Sequence, residues 1–453
     1  MTIHRLANQL WRYRVTGLML TLGVTCLLIF VGTYLLQQSS RHGRHKGWNK
    51  KLVKDKAQPA ANPAGSSRHD HHYQERKRRS DTHPSDDHQA PKDGSPYNMM
   101  KPRTQTPPVV FLKTHKTGSS TVQNLLFRMG ERDRATFAFP HHSYQFSYPE
   151  KFRAKFVDEL PDDSSQYDLL CSNMRLDVEQ LKQVMPENAV YITILREPLR
   201  TFESVFSYYT STVPAFILAK KVAETTGHKS ALSLFLESPD AFWDPKEPGN
   251  CLGRNPMSFD LGIDSQQWNT TWRTDLSLLE ETFQLVMIAE HFDESLILLG
   301  SLLDLNMEEL AYVRLNTRSL QDVTHLDDDT KDQISAWNTL DVLLYDFFLQ
   351  IFLEKVEKYG LERLNSEVAL LRATTNRIRR KCVARSGVYP EELEDLVRPW
   401  QTDTVTILGY QIQKNLTKPE QAFCTRLVLP ELQYHAHLYF QQYGRDMRAV
   451  PTE

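Results

Sequence analysis

The amino-acid sequence predicts an α/β fold built on a parallel sheet. Two observations carry this prediction: four short apolar runs have the length of buried strands, and helical patterns follow them along the chain. The four runs are VVFL at 109–112, DLLC at 168–171, VYITIL at 190–195 and FQLVMIAE at 283–290. Because strands that alternate with helices usually pair in the same direction, we expect a parallel sheet whose faces are covered by helices.

The composition is that of a folded protein with no global electrostatic signature. A chain of 453 residues that is 40% hydrophobic and 24% charged can bury a substantial core. The formal net charge of -2 gives no reason to expect nucleic acid as a partner. Five cysteines are too few for a disulfide framework in a chain of this length.

The first element along the chain is an uncharged run at 15–36. It has the length that a helix needs to cross a hydrocarbon layer of about 30 Å. A cleaved signal peptide is the alternative, but the run is longer than a signal core and no small-residue cleavage site follows it. The sequence therefore predicts a cytoplasmic tail at 1–14 and a transmembrane signal anchor at 15–36.

The orientation of this span is predicted from the rest of the chain. More basic residues follow the span than precede it, which by itself favours a cytoplasmic location for the C-terminal part. Long domains, however, translocate largely regardless of flanking charge. Two N-glycosylation sequons begin at Asn269 and Asn415 and favour a lumenal domain.

A polar segment separates the predicted anchor from the predicted core. Residues 37–107 are crowded with His, Arg, Lys, Asp, Ser and Pro and carry almost no periodic apolar residue. Such a segment cannot offset its ordering entropy by burial, so we expect a flexible stem. Apolar periodicity begins at Pro108, and 108–445 is assigned to one lumenal domain.

The first predicted strand leads through a polar loop into a helix. Val122, Leu125, Leu126 and Met129 recur at helical spacing, and Gly130 is expected to end this helix. The loop between strand and helix consists of Lys113, Thr114, His115, Lys116, Thr117, Gly118, Ser119, Ser120 and Thr121.

This loop has the character of a phosphate or sulfate cradle. A helix N-terminus presents backbone N–H groups and the positive end of its dipole to an anion. Gly118 permits close approach of the backbone, and Lys116 can place a point charge on a bridging oxygen. The loop is thus P-loop-like, although a tight turn of solvated polar residues is the plainer interpretation of any single such loop.

The order of residues disfavours a nucleoside triphosphatase or kinase. Those loops follow GxxxxGK[ST], with lysine after the last glycine and a hydroxyl on magnesium. Here Lys116 precedes Gly118 and the leading glycine is missing, and no convincing magnesium-binding aspartate stands out. The order fits a sulfonucleotide loop better.

A second anion site is predicted after the third strand. Arg196 follows that strand directly and offers a planar fork for phosphate. Ser204 lies eight positions later in the next predicted helix and can return toward the same anion. Arg and Ser around a helix start are usually structural, but together with the first loop they supply two separate anion sites.

The C-terminal part of the domain is predicted to be mostly helical. Apolar residues recur at helical spacing over 340–352, and 361–382 forms a second amphipathic segment. Turn signals and short apolar runs such as ILGY at 407–410 then suggest a small cap. Cys382 and Cys424 are placed to join this cap by a disulfide in an oxidising compartment.

Several of these motifs together resemble one known family. FLKTHKTGSST, ITILREPLRTFESVFSYY, HFDESLILL, AWNTLD, ILGY and PELQY are similar in sequence and order to the galactose 3-O-sulfotransferases. The resemblance covers the chain from about residue 108 to about residue 440. It implies a sulfotransferase fold, a single-pass type II protein of the Golgi membrane, and a lumenal catalytic domain.

The resemblance also implies substrates and residue roles. The donor would be 3′-phosphoadenosine 5′-phosphosulfate, no metal would take part, and the acceptor would be a terminal β-galactose on a glycolipid or glycoprotein. The loop at 113–121 would hold the 5′-phosphosulfate, and Lys116 would stabilise the bridging oxygen as it leaves. Arg196 and Ser204 would hold the 3′-phosphate.

One departure from the family pattern concerns the catalytic base. After the second strand the family pattern implies Cys-x-His-Met-Arg-Phe, whereas this chain has Asn173 at the position of the histidine. Asparagine cannot take a proton at neutral pH. Either another base is used, for which His115, His141 and His142 are candidates, or the chain is a glycan- or nucleotide-binding homologue with impaired catalysis.

Overall fold

The computed structural model describes residues 106–227, 230–263 and 268–447. The predicted tail, the predicted anchor at 15–36 and nearly all of the predicted stem lie outside these residues. Within the described part of the chain, no helix combines the length and the apolar character needed to cross a membrane.

A four-stranded parallel sheet forms the centre of the fold, and this confirms the predicted fold class. The strands are β1 (Val109–Leu112), β2 (Leu169–Leu170), β3 (Val190–Leu195) and β4 (Leu285–Ile288). Their order is β2-β1-β3-β4, and every neighbouring pair is parallel. The first and third predicted strands have their predicted bounds, whereas β2 and β4 are shorter than the apolar runs that predict them.

Helices connect and cover these strands. The helices before β4 are α1 (Ser119–Asp133), α2 (Val178–Leu181), α3 (Pro198–Tyr209), α4 (Pro214–Thr226), α5 (Ala231–Glu237), α6 (Pro256–Asp260) and α7 (Trp268–Thr282). Those after it are α8 (Phe292–Leu303), α9 (Asp328–Trp337), α10 (Thr339–Tyr359), α11 (Leu361–Cys382), α12 (Lys418–Val428) and α13 (Glu431–Tyr443). Helices α8 and α10 pack against β4.

Gly130 does not end α1, so that prediction was wrong. The helix continues to Asp133, and Arg134 caps it in the left-handed conformation with φ 56°. A Cβ atom at Gly130 would lie 2.5 Å from the ring of Phe137. Glycine is therefore needed inside the helix because an aromatic ring packs directly on its backbone.

The C-terminal part is mostly helical, as predicted, and adds a small antiparallel sheet. Its strands are β5 (Thr317–Arg318), β6 (Val383–Val388) and β7 (Ile407–Ile412), in the order β5-β7-β6. A disulfide joins Cys382 to Cys424 and confirms the predicted pair. The disulfide reduces the conformational entropy of the unfolded chain. Because 42 positions separate the two cysteines, this stabilises the folded state by about 4 kcal/mol in the chain-entropy model.

His435 in α13 is buried without a polar partner. Its ring lies among the rings of Phe139, Tyr144 and Phe127, at centroid distances of 4.5, 5.1 and 6.3 Å. Neither ring nitrogen has a hydrogen-bond partner within the described structure. Burial alone lowers the pKa of His435 from 6.5 to about 3.

We expect His435 to make folding pH-dependent. The unfolded chain takes up a proton at this residue below pH 6.5 and the folded protein does not until about pH 3. Between those limits, the free energy of unfolding should therefore fall by as much as about 1.4 kcal/mol for each pH unit of acidification. Denaturant unfolding of the wild type and of His435→Phe, measured at several pH values, should show a shallower slope for the variant. Parallel pH curves would contradict this.

Candidate active site

The two predicted anion sites lie next to each other at one edge of the parallel sheet. The loop at 113–118 leaves the carboxyl end of β1, Arg196 follows the carboxyl end of β3, and Asn173 comes shortly after β2. Since β1 lies between β2 and β3, all three segments meet at the same edge. This is the edge at which open α/β sheets bind their ligands.

The loop is held in shape by its own hydroxyl groups. Thr114 Oγ1 donates to the carbonyl oxygen of Ile194 at 2.5 Å, and Ser119 Oγ donates to that of Thr114 at 2.6 Å. The hydroxyls of Thr114 and Thr117 are 2.8 Å apart. These side chains, predicted from the sequence to bind an anion, are therefore engaged in fixing the backbone of the loop.

The backbone of the loop leaves an open approach to α1. Gly118, the residue that precedes the helix, has φ 86°, and no side chain caps the helix start. A Cβ atom at Gly118 would have no other atom within 4 Å. Lys116 also has a positive φ, of 59°. An uncapped helix start beside open space is the arrangement that binds phosphate or sulfate.

A cavity of about 780 Å³ lies over this edge of the sheet. That volume falls in the usual range for small-molecule sites. The residues of both predicted anion sites and Asn173 line it, namely Lys113, Thr114, His115, Lys116, Thr117, Gly118, Ser119, Ser120, Thr121, Asn173, Arg196 and Ser204. The structure thus brings the two predicted anion sites and Asn173, which replaces the family histidine, into one cavity.

Lys116 sits where its charge is disfavoured. Desolvation and, to a smaller extent, the neighbouring cations Arg318, Lys113 and Arg196 lower the pKa of Lys116, and Glu203 raises it. The net result is a pKa of about 7. Its Nζ lies 3.7 Å from the centre of the Tyr208 ring, a contact that favours the charged form. An anion in the cavity would supply the countercharge that this site lacks.

The second anion site contains one more cation than the sequence revealed. Arg196 Nη1 donates to the carbonyl oxygen of Lys116 at 3.1 Å and so lies against the loop. Ser204 is buried in α3 and lines the same cavity. Arg318 also lines it, and its guanidinium is fixed by an ion pair of 2.6 Å with Glu203. Arg318 comes from β5, far along the chain, and no local pattern marks it.

Asn173 links two groups of the loop. Lys113 Nζ donates to Asn173 Oδ1 at 2.6 Å and forms a 3.0 Å ion pair with Glu431. The Nδ2 atom of Asn173 lies 3.2 Å from Nε2 of His115. Because the ammonium of Lys113 is a donor only, it sets the amide so that Nδ2 faces His115.

His115 is paired with a carboxylate that sequence reasoning missed. Its Nδ1 lies 3.0 Å from both oxygens of Asp260, and its backbone N–H donates to Asp260 Oδ2 at 2.7 Å. Asp260 ends α6, 145 positions away. No local pattern in the sequence marks this pair.

The other two candidate histidines lie outside the cavity. Nε2 of His141 lies 2.8 Å from the carbonyl oxygen of Lys155, and neither His141 nor His142 is among the residues that line the cavity. Among the described residues there is no group of three or more His, Cys, Asp or Glu side chains arranged to hold a metal ion.

Comparison with known proteins identifies the family. The sequence profile of the family described as galactose-3-O-sulfotransferase matches residues 70–442. Human galactosylceramide sulfotransferase is 38% identical over 331 residues, which cover 72% of this chain and 76% of the human protein.

Two further relatives extend the same finding. Mouse galactose-3-O-sulfotransferase 3 is 36% identical over 364 residues, covering 77% of this chain and 81% of the relative. Galactose-3-O-sulfotransferase 2 of Sus scrofa is 36% identical over 357 residues, covering 76% and 87%. This chain belongs to the galactose-3-O-sulfotransferase family.

Proposed function

We propose that this protein transfers a sulfuryl group from 3′-phosphoadenosine 5′-phosphosulfate to the 3-hydroxyl of a terminal galactose on glycolipid or glycoprotein glycans. The observation that supports this best is the meeting of two cationic anion sites in one cavity of about 780 Å³. A nucleotide that carries a 5′-phosphosulfate and a separate 3′-phosphate needs such a pair. The relatives are named as sulfotransferases of galactosylceramide or of galactose at its 3-oxygen, which supports the same acceptor sugar.

The residues of the cavity fit the donor. In this proposal the backbone of the loop at 113–118 and the start of α1 at 119–121 hold the 5′-phosphosulfate, since the helix start is uncapped and open. Arg196 and Ser204 hold the 3′-phosphate. Arg318 adds charge beside Lys116, and its pairing with Glu203 keeps it in place.

The chemistry divides between two residues of the loop. The acceptor oxygen forms the new O–S bond while the S–O bond to the donor phosphate breaks, and that phosphate leaves with the electron pair. Lys116 neutralises the charge that develops on the leaving oxygen. His115 takes the proton of the acceptor hydroxyl at Nε2, the nitrogen that faces Asn173.

Donor binding should be accompanied by proton uptake at Lys116. The pKa of Lys116 is about 7 in the free protein, and the negative charge of the bound nucleotide raises it, so binding at pH 7 should take up about half a proton. Calorimetric titration with adenosine 3′,5′-bisphosphate in buffers of different ionisation enthalpy measures this uptake. Lys116→Arg is the matched control because its guanidinium stays charged. Equal uptake by the wild type and this variant would assign the proton to another group.

We also propose that the protein is anchored in the Golgi membrane by residues 15–36, with its catalytic domain in the lumen. The uncharged run has the required length. The Cys382–Cys424 disulfide suits an oxidising compartment. Asn415 of the second sequon is exposed in the turn between β7 and α12, where an oligosaccharide can be attached.

The test of the activity is transfer of labelled sulfate from the donor to a panel of β-galactosides by the purified full-length protein. The panel contains galactosylceramide, glycans with terminal β-galactose, and the same glycans with the galactose 3-hydroxyl removed. Label on the first two and none on the third supports the proposal. Transfer to no acceptor, by a protein that still binds the nucleotide, would instead support a binding protein with impaired catalysis.

That second function was suggested by Asn173 alone. The structure weakens this reason, because Nε2 of His115 lies only 3.2 Å from the Asn173 amide. A basic nitrogen is therefore present beside the position of the family histidine. The enzyme is the better supported of the two functions.

A further inference from the structure

We propose that Asp260 is a positioning residue that holds His115 in the tautomer able to accept the proton of the acceptor hydroxyl. The inference deepens the proposed function and rests on it. Asp260 does not line the cavity and is fully buried, so it acts on the reaction only through His115.

The side chain of Asp260 contacts hydrogen-bond donors of two neighbouring residues, His115 and Tyr148. It accepts the backbone N–H of His115 at 2.7 Å, and both of its oxygens lie 3.0 Å from Nδ1 of the same residue. The hydroxyl of Tyr148 donates to Oδ1 at 2.8 Å. Burial raises the pKa of Tyr148 well above its ordinary value, so this phenol keeps its proton and remains a donor.

These contacts determine which nitrogen of His115 carries the proton. An ionised carboxylate only accepts hydrogen bonds, so Nδ1 must be protonated to face Asp260. In the neutral ring Nε2 then has a free electron pair. The amide of Asn173 is set by Lys113 with Nδ2 toward this nitrogen, which agrees with an accepting Nε2.

The same arrangement serves the reaction. The acceptor hydroxyl would donate to the electron pair of Nε2 in place of the 3.2 Å contact with Asn173. When the proton moves to Nε2, the ring becomes a cation 3.0 Å from a buried carboxylate. A carboxylate in that position both orients the ring and stabilises the cation. Asn173 is then a partner of the base rather than the remnant of a lost one.

Asp260→Asn removes the negative charge at this position and keeps a side chain of nearly the same shape. The asparagine oxygen can still accept the backbone N–H, but the variant has no negative charge to stabilise the protonated ring. Its NH₂ group can also donate to Nδ1 and so favour the opposite tautomer, in which Nε2 is a donor. We expect kcat for sulfate transfer by the full-length protein to fall at least about 100-fold. The KM values for donor and acceptor should change by less than about threefold, because the cavity walls are unaltered.

Two further variants test whether the loss of kcat in Asp260→Asn arises through His115. If Asp260 acts through His115, His115→Gln combined with Asp260→Asn should be no slower than His115→Gln alone. Asp341→Asn is the matched control. Asp341 is a buried carboxylate of α10 that accepts a hydrogen bond from the backbone N–H of Ser258 at 2.8 Å. Ser258 lies in α6, the helix that ends at Asp260, and Asp341 does not contact His115. It should lower the melting temperature while kcat stays within about threefold of the wild type.

The tautomer can also be measured without turnover. In protein labelled with ¹⁵N-histidine, the His115 signals are assigned by their loss in His115→Gln, and we expect Nδ1 to be the protonated nitrogen. A wild-type protein with Nε2 protonated would overturn the proposal, as would an unchanged kcat in Asp260→Asn. The proposal would also fail if the fold-loss of kcat in the double variant equalled the product of the losses in the two single variants. The expected tautomer in a protein that sulfates no galactoside would instead reject the proposed function and leave the positioning of His115 intact.

Discussion

Lys116→Ala is expected to reduce kcat for sulfate transfer by about 10²- to 10³-fold, the usual cost of removing one group that stabilises developing charge. In this protein Lys116 lies in the loop after β1 with its Nζ over the Tyr208 ring, and desolvation together with the neighbouring cations lowers its pKa to about 7. A cation that is poorly solvated in the free protein gains most when negative charge grows beside it. The effect should therefore be larger in kcat than in donor affinity.

Steady-state kinetics with galactosylceramide and direct binding of adenosine 3′,5′-bisphosphate separate the two effects. Lys113→Ala is the matched variant because it removes another lysine of the same loop, but one that is already paired with Glu431 at 3.0 Å. It should lower kcat by no more than about tenfold. Equal losses of kcat in the two variants would show that Lys116 has no special role toward the leaving oxygen.

His115→Gln is expected to lower kcat by about 10²- to 10⁴-fold, the usual contribution of a general base. Glutamine keeps a polar side chain of similar reach but cannot take the proton of the acceptor hydroxyl. The donor should still bind, because the start of α1, Arg196 and Arg318 are untouched. Binding of adenosine 3′,5′-bisphosphate within about threefold of the wild type would confirm that the loss is chemical.

Asn173→His tests the alternative location of the base in the same assay. If His115 is the base, adding a histidine at 173 should not increase kcat beyond about threefold, and losing the contact with Lys113 should lower it. A large increase in the Asn173→His variant, or an unchanged rate in His115→Gln, would place the base elsewhere and revive the interpretation of Asn173 as a lost catalytic group.

Much of the fold was predictable because its signals are local. Strands β1 and β3 are uninterrupted runs of apolar residues, and α10 and α11 carry long helical periodicities, so their positions can be found without knowing what packs on them. Gly130 shows where local signals fail. A glycine near a helix end usually terminates the helix, but here the need for glycine comes from Phe137, which packs on it from outside the helix.

The candidate site likewise contains residues that local patterns predict and residues that they do not. The anion loop and Arg196 are contiguous with strands, and parallel strands deliver their carboxyl ends to one edge, so the sequence alone brought these groups together. The small sheet that supplies Arg318, and the helix end that supplies Asp260, could not be oriented toward that edge from the sequence. Their pairing with Glu203 and His115 joins segments more than a hundred positions apart.

The sequence by itself thus determined the fold class, the anion loop after β1 and the resemblance to the galactose 3-O-sulfotransferases, because each depends on neighbouring residues. Only the tertiary structure decided that His115 is paired with Asp260, that Asn173 joins Lys113 to His115, and that the pKa of Lys116 falls to about 7. The physical reason is that hydrogen-bond partners and desolvation depend on which distant segments pack together, and that information is not contained in any local pattern.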